Sequence, residues 1–228
     1  MEQTKSIWFT TLLLTLVAGY CDTVTFISAK AIFSAHVTGN FIVFAYELIK
    51  GSEAAAYIKL LTFPVFIIAV MFAGWLAAKV VNRYKLLLYE GILLLLSGLA
   101  AGWFEYYDML TISWPVYTIA MVVVFAIGLQ NAYGKLFPKE TYGPTTMMTG
   151  NVTQLSLDLG GLFKPERKEE AKASLKKQLI TVGGFLAGCV LGAVLAHGYG
   201  LVTLVLPGIA IIICYLYSNK KATGATHA

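Results

Sequence analysis

Long apolar runs dominate this chain, and they are too long and unbroken for the alternation of a half-buried strand. Six of them approach or exceed the roughly 20 residues that a helix needs to cross about 30 Å of hydrocarbon. They cover 6–29, 57–79, 86–104, 112–134, 178–197 and 200–218. Two further apolar stretches, 38–50 and 149–161, are much shorter. Their length suits a re-entrant half-helix, or an interrupted one, rather than a full crossing. The pattern predicts an all-α integral membrane protein with six transmembrane helices and two short re-entrant or interrupted half-helices.

The polar residues that break these runs recur. Gly19-Tyr20-Cys21-Asp22 in the first half corresponds to Gly128-Leu129-Gln130-Asn131 in the second. His36-Val37-Thr38-Gly39-Asn40 corresponds to Met147-Met148-Thr149-Gly150-Asn151, and an acid follows each Asn seven residues on, Glu47 and Asp158. Ala73-Gly74 corresponds to Ala187-Gly188. The offset grows from 109 residues (22 to 131) through 111 (40 to 151) to 114 (74 to 188), as longer loops in the second copy require. Matches in the same order along the chain indicate a duplication within a single membrane domain, with repeats over about 6–104 and 112–218.

Charge sets the expected orientation. With both short stretches re-entrant and the N-terminus inside, all but Lys30, Lys50 and Lys59 of the 17 basic residues fall on the inner side. If both short stretches cross instead, Lys79, Arg83, Lys85, Lys135 and Lys139 join Lys30 outside, and the positive-inside rule is served less well. Three crossings per copy make the second repeat enter from the opposite face. The repeats are therefore expected to be inverted, a plan in which solute sites lie near the midplane between interrupted helices.

Composition agrees with the pattern. The chain of 228 residues is 58% hydrophobic and only 13% charged, with mean hydropathy +0.73. The net charge of +5 reflects inner-side basic residues rather than nucleic-acid binding. The first apolar segment reads as a retained helix, because no small-residue cleavage site follows it. Cys21, Cys189 and Cys214 are widely spaced singles, and with three histidines no histidine-rich metal site can be built. No cofactor motif, Walker loop or nucleophile elbow is present in the sequence, and no enzymatic activity is expected. The segment 162–177, rich in Lys and Glu, reads as an exposed inner loop.

The candidate site follows from the paired motifs. Thr and Asn suit helix N-caps, and Gly permits a sharp turn, so Thr38-Gly39-Asn40 and Thr149-Gly150-Asn151 read as half-helix starts. Their N–H groups, if free, form a pair of partly positive ends suited to an anion or the oxygen of a neutral solute. A plainer reading is that these residues cap helices and tie the repeats together. Asp22 lies inside the first apolar run, where a charge is costly and points to function. It carries a proton, binds a cation, or serves as a structural partner at a helix break. His36 titrates near neutrality or is a bonded histidine at the outer mouth. The predicted solute-lining set is Asp22, His36, Thr38, Asn40, Gln130, Asn131, Thr146, Thr149 and Asn151. Small residues at spacings of four, among them Gly184, Gly188 and Gly192, are packing faces that can equally serve a homo-oligomer.

These same motifs, with Phe33-Ser34-Ala35 before His36, Ala132 after Asn131, Thr145-Thr146 before Met147 and Val152-Thr153 after Asn151, resemble the YoaK family of bacterial multi-pass inner-membrane proteins. That family is catalogued as a domain of unknown function and sometimes labelled a small-molecule transporter. Where the resemblance leads one to expect an arginine after Ala132, this chain reads Tyr133-Gly134-Lys135. The expectation is a secondary transporter of a small polar or anionic solute in the bacterial inner membrane, with both termini inside. A passive pore, a non-transporting scaffold and an intramembrane enzyme using Ser34 with His36 or Asp22 are the rivals.

Overall fold

A computed structural model describes residues 2–80 and 82–224. The described residues form eight α-helices and no strand: α1 Glu2–Ser28, α2 Gly39–Ile49, α3 Glu53–Lys79, α4 Lys85–Tyr106, α5 Ser113–Leu136, α6 Met148–Gly161, α7 Lys168–Tyr199 and α8 Val205–Gly224. Among these residues five helical stretches are long and apolar enough to cross a bilayer: Ile7–Ser28, Ala56–Lys79, Lys85–Tyr106, Ser113–Leu136 and Pro165–Asn219. The last runs 55 residues and takes in both α7 and α8. The protein is an all-α membrane protein. Its lipid-facing surface is apolar, as on α3, where Ile68, Met71 and Trp75 all point outward.

The two short apolar stretches become α2 and α6, of 11 and 14 residues. At 1.5 Å per residue α2 is about 16 Å long, half a bilayer. One expectation fails here: most of 162–177 is not a loop. A 3-10 turn at Pro165–Arg167 leads straight into α7, which starts at Lys168. Glu169 and Glu170 occupy its first turn, where acids favour the positive end of the helix dipole.

Turns end the long helices at identifiable residues. α1 stops where Lys30 and Ala31 adopt left-handed backbone, with φ of 55° and 60°. Two successive non-glycine residues there cost roughly 1–2 kcal/mol each. The buried Lys59 of α3 donates its ammonium to the Lys30 carbonyl, and Lys30 itself lies over the Tyr117 ring of α5 at 5.3 Å. The turn is thus held from both neighbouring helices. Between α7 and α8, Gly200 (φ 54°, ψ −141°) provides a backbone conformation that side chains disfavour.

The interfaces come in counterparts. α2 packs on α3 as α6 packs on α7; α1 packs on α7 as α5 packs on α3; α4 meets α5 as α8 meets α1; and α4 and α8 meet each other. Glycines set how closely these helices approach. Gly184, Gly188 and Gly192 of α7 lie against Leu12, Leu16 and Tyr20 of α1, so the two helices run parallel. A Cβ on Gly188 would collide with the Leu16 carbonyl, and one on Gly192 would sit 2.7 Å from the Tyr20 oxygen. α5 meets α3 in the same sense, with Gly128 against Ala69 and Phe66. Of the two uses read for the Gly184–Gly192 ridge, packing within the chain is the one these contacts take up.

Gly188→Ala is expected to destabilise the protein by about 1–3 kcal/mol through overpacking. Gly74 has nothing within 4 Å of an added Cβ, so Gly74→Ala is expected to be neutral or stabilising by a few tenths up to about 1 kcal/mol. Thermal unfolding of the purified variants checks both. Equal effects at the two positions would contradict the packing account.

Candidate functional site

The chain leaving α1 must return through residues 29–38 to start α2, and its peptide groups need partners within the protein. Asp22, 5% exposed, is the partner of two of them and of one side chain. Its Oδ1 accepts the N–H of Ala35 at 2.6 Å and, more loosely, that of His36 at 3.3 Å. Its Oδ2 lies 2.6 Å from His36 Nδ1. A carboxylate in this position keeps the proton on Nδ1, which leaves Nε2 as the free polar atom of the ring. The side chain of His36 is 38% exposed, against 7% for Asp22. The bond to Asp22 raises the His36 pKa above its ordinary 6.5, against an opposing effect of burial.

Asn40 completes the clasp. Fully buried, it accepts the Phe33 N–H at 2.8 Å and returns a hydrogen bond to the Phe33 carbonyl, also at 2.8 Å. Its amide also donates to Thr62 Oγ1 of α3 at 3.0 Å. Thr38 precedes α2 but makes no capping bond, and it faces outward. The first N–H groups of α2 are not free either. Gly39, Asn40 and Phe41 donate to the carbonyls of His36, Val37 and Thr38 at 2.8, 3.2 and 3.2 Å. The expectation of open N–H groups at this helix start is therefore wrong, because a tight turn of the incoming chain occupies them.

A cavity of about 550 Å³ opens beside this clasp, between α1, α2 and α7. Asp22 and His36 supply its charged and titratable groups, while Phe26, Phe33, Ile42 and Phe185 form apolar walls. The His36 ring meets Phe33 and Phe185 edge to face, with centroids 6.3 and 5.6 Å apart. Gly39 packs closely there: an added Cβ would lie 3.1 Å from the Phe33 ring, which would have to give by a few tenths of an ångström.

The second motif repeats the clasp with neutral groups. Gln130 donates to the Leu14 carbonyl at 2.9 Å and to Thr145 Oγ1 at 2.8 Å. Asn131 donates to Thr146 Oγ1 at 2.6 Å. Asn151 donates to the Pro144 carbonyl at 2.8 Å, seven residues back, as Asn40 binds Phe33 seven residues back. Thr149 lies in the first turn of α6 and faces outward. The cavity here, between Asn131, Lys135, Thr146 and Met147, measures only about 20 Å³.

The predicted site residues thus form two clusters. Asp22, His36 and Asn40 make one; Gln130, Asn131, Thr146 and Asn151 make the other. Thr38 and Thr149 belong to neither by a side-chain bond. Gln130 reaches α1 at Leu14, eight residues before Asp22, so the clusters are staggered by about 12 Å along α1. Sequence reasoning missed the cavity walls Phe33 and Phe185, which nothing in the linear pattern marks. It also passed over Lys59 and Glu90, 1% and 0% exposed, although a charge inside an apolar run was a readable signal for both. Ser34 Oγ is buried without a hydrogen-bond partner, so it is not joined to His36.

A family model described as a protein of unknown function, DUF1275, matches residues 10–217. YoaK is a member of that family, in accord with the motifs. No curated protein and no solved structure matches the chain.

The clasp predicts a pH dependence. A group whose pKa is raised on folding stabilises the protein fully below its unfolded value, and that contribution is lost as pH rises through the folded value. The His36–Asp22 pair should therefore lend stability below about pH 6.5 that declines as pH rises past the raised value. Melting temperature against pH, for wild type and Asp22→Asn, measures it. A wild-type curve parallel to that of the variant would show that the pair contributes nothing.

Proposed function

We propose a function for this chain, which belongs to the DUF1275 family of proteins of unknown function: it is a secondary transporter of a small solute across the bacterial inner membrane. The observation that carries the reading is the contrast between two equivalent clasps, one beside a cavity of about 550 Å³ and the other beside about 20 Å³. Equivalent elements in unequal states, on two copies of one unit, are what alternating access requires.

The reading takes α1–α4 and α5–α8 as inverted repeats with six crossings by α1, α3, α4, α5, α7 and α8. The larger helix interfaces have counterparts when the two sets are exchanged, which supports the duplication. The positive-inside count supports inner termini, an orientation in which the large cavity lies toward the outer face. A passive pore fits less well, because the second cavity has room for about one water. The enzyme reading loses its best dyad, since Ser34 has no bond to His36.

The cavity narrows the solute. Its walls are mostly aromatic and aliphatic; Thr23 and Cys189 add a hydroxyl and a thiol, and His36 Nε2 is its titratable nitrogen. Protonated, that ring donates a charge-assisted hydrogen bond to a carboxylate; neutral, its Nε2 accepts one from a hydroxyl. The solute is thus a small molecule with an apolar body and one polar head, a monocarboxylate first. Solutes polar throughout fit the walls poorly.

A stability screen on purified protein tests this. Aromatic and branched aliphatic monocarboxylates are expected to raise the melting temperature by several degrees near 100 times Kd, where binding adds about 2.7 kcal/mol. Matched sugars should have no effect, and His36→Ala should abolish the shift. Stabilisation by sugars alone, or a carboxylate shift that survives His36→Ala, would overturn the assignment.

A further inference from the structure

Glu90 lies five residues into α4, within electrostatic reach of Cys214 of α8 and of Cys21 of α1, and its exposure is 0%. Neither carboxyl oxygen has a hydrogen-bond partner. Its helical neighbour Gly91 touches Gly208, Ile211 and Ile212 of α8. Among the described residues the ion pairs are His36–Asp22 and Arg83–Glu140, so no cation is paired with Glu90. An ionised carboxylate cannot persist in such surroundings without a counter-charge or donated hydrogen bonds; the group takes up a proton instead.

The groups around it are weak acids. From α1, Cys21 lies within electrostatic reach, with Asp22 next along the helix. From α8, Cys214 does. α5 contributes Tyr133, near Cys214, whose hydroxyl is also buried without a partner. Beyond Tyr133 stand Tyr84, Arg83 and Glu140, bonded to one another at one end of the helices. The cations of α3 are engaged elsewhere: Lys59 is bonded to the Lys30 carbonyl and Lys79 is held 4.2 Å over the Trp75 ring. The 3-10 turns at 109–111 and 200–204, also packed on α4, carry no titratable side chain.

We propose that Glu90 is a proton-binding site of this protein, carrying its proton in the arrangement described here and releasing it when α4 and α8 part enough to admit water or a cation. The binding step is simple: a proton adds to a carboxylate oxygen, giving a neutral acid, and no other bond changes. Tyr133, Tyr84 and Glu140 mark the side from which the proton enters and leaves. Glu90 is separate from the Asp22–His36 clasp, and the buried acid stands on its own geometry. Its use as the coupling proton rests on the transporter reading.

Infrared spectra of the purified protein in lipid nanodiscs test the assignment. At neutral pH the wild-type protein should show the carbonyl band of an unionised carboxylic acid. That band should shift in heavy water and disappear in Glu90→Gln, an isosteric change whose folding is checked by thermal melting. Labelling with carbon-13 glutamate identifies the band in the wild type even if the variant does not fold, and separates it from any signal of Asp158. A wild-type spectrum with no glutamic-acid carbonyl band would overturn the proposal, as would a band that survives in folded Glu90→Gln. A Glu90 band together with no effect of any monocarboxylate in the stability screen would leave the proton site standing and remove the transporter reading alone.

Discussion

Hydrocarbon offers no partner to a bare peptide group, and that constraint orders the rest of this molecule. The helices meet it internally. The segments 29–38 and 137–147 do not, because each brings the chain back among the helices before a short one begins. Side chains of the neighbouring elements do the work. Asp22 takes the N–H groups of Ala35 and His36, and Asn40 takes both peptide groups of Phe33. Gln130, Asn131 and Asn151 bind Thr145, Thr146 and Pro144 in the second half. An unpaired buried donor or acceptor costs about 1–3 kcal/mol, so removing any one clasp residue frees a loop whose position defines the cavity.

Close helix contact is the second requirement, and it follows from the first. Lipid is as apolar as leucine, so helices gain little by hiding leucine from it and must gain from tight packing. α1 and α5 are the most enclosed of the long apolar helices, and the glycines of α7 let the backbones of α1 and α7 come nearly into contact. That fixes the depth of Asp22 relative to Phe185 and Cys189, which share its cavity. The position of the acid is therefore set by glycines a full helix away from it in sequence.

The sequence made the membrane class, the helix positions and the paired motifs legible, because hydrophobic length and repetition are local and periodic. The spans expected from 57, 86 and 112 match α3, α4 and α5 to within a few residues at most ends. The start of α7 was missed because a charged helix protruding beyond its apolar part looks like a loop when hydropathy is the guide. The role of Asn40 was misread for a different reason. Capping is a local rule, whereas its bonds to Phe33 and to Thr62 depend on how the incoming chain folds back. Thr38 suffered the same fate: the turn from His36 to Phe41 bonds the helix start through its backbone and leaves the hydroxyl with no cap to make. Cavity walls such as Phe185 come from another part of the chain and leave no mark in the linear pattern.

The difference between the two halves has a physical origin in one substitution. Where Asn131 stands, a neutral amide closes directly on Thr146 at 2.6 Å, and both partners are small. Where Asp22 stands, the carboxylate is satisfied by backbone N–H groups and by an imidazole. That ring is bulky and planar, and it packs edge-on against Phe33 and Phe185, each more than 5 Å away centre to centre. Rings meeting at edges cannot fill space as two small side chains do, and a cavity remains beside them. The acid thus does more than add a charge to one clasp. It recruits the histidine, the histidine spaces the aromatic rings, and the first clasp stays beside an open cavity while the second shuts.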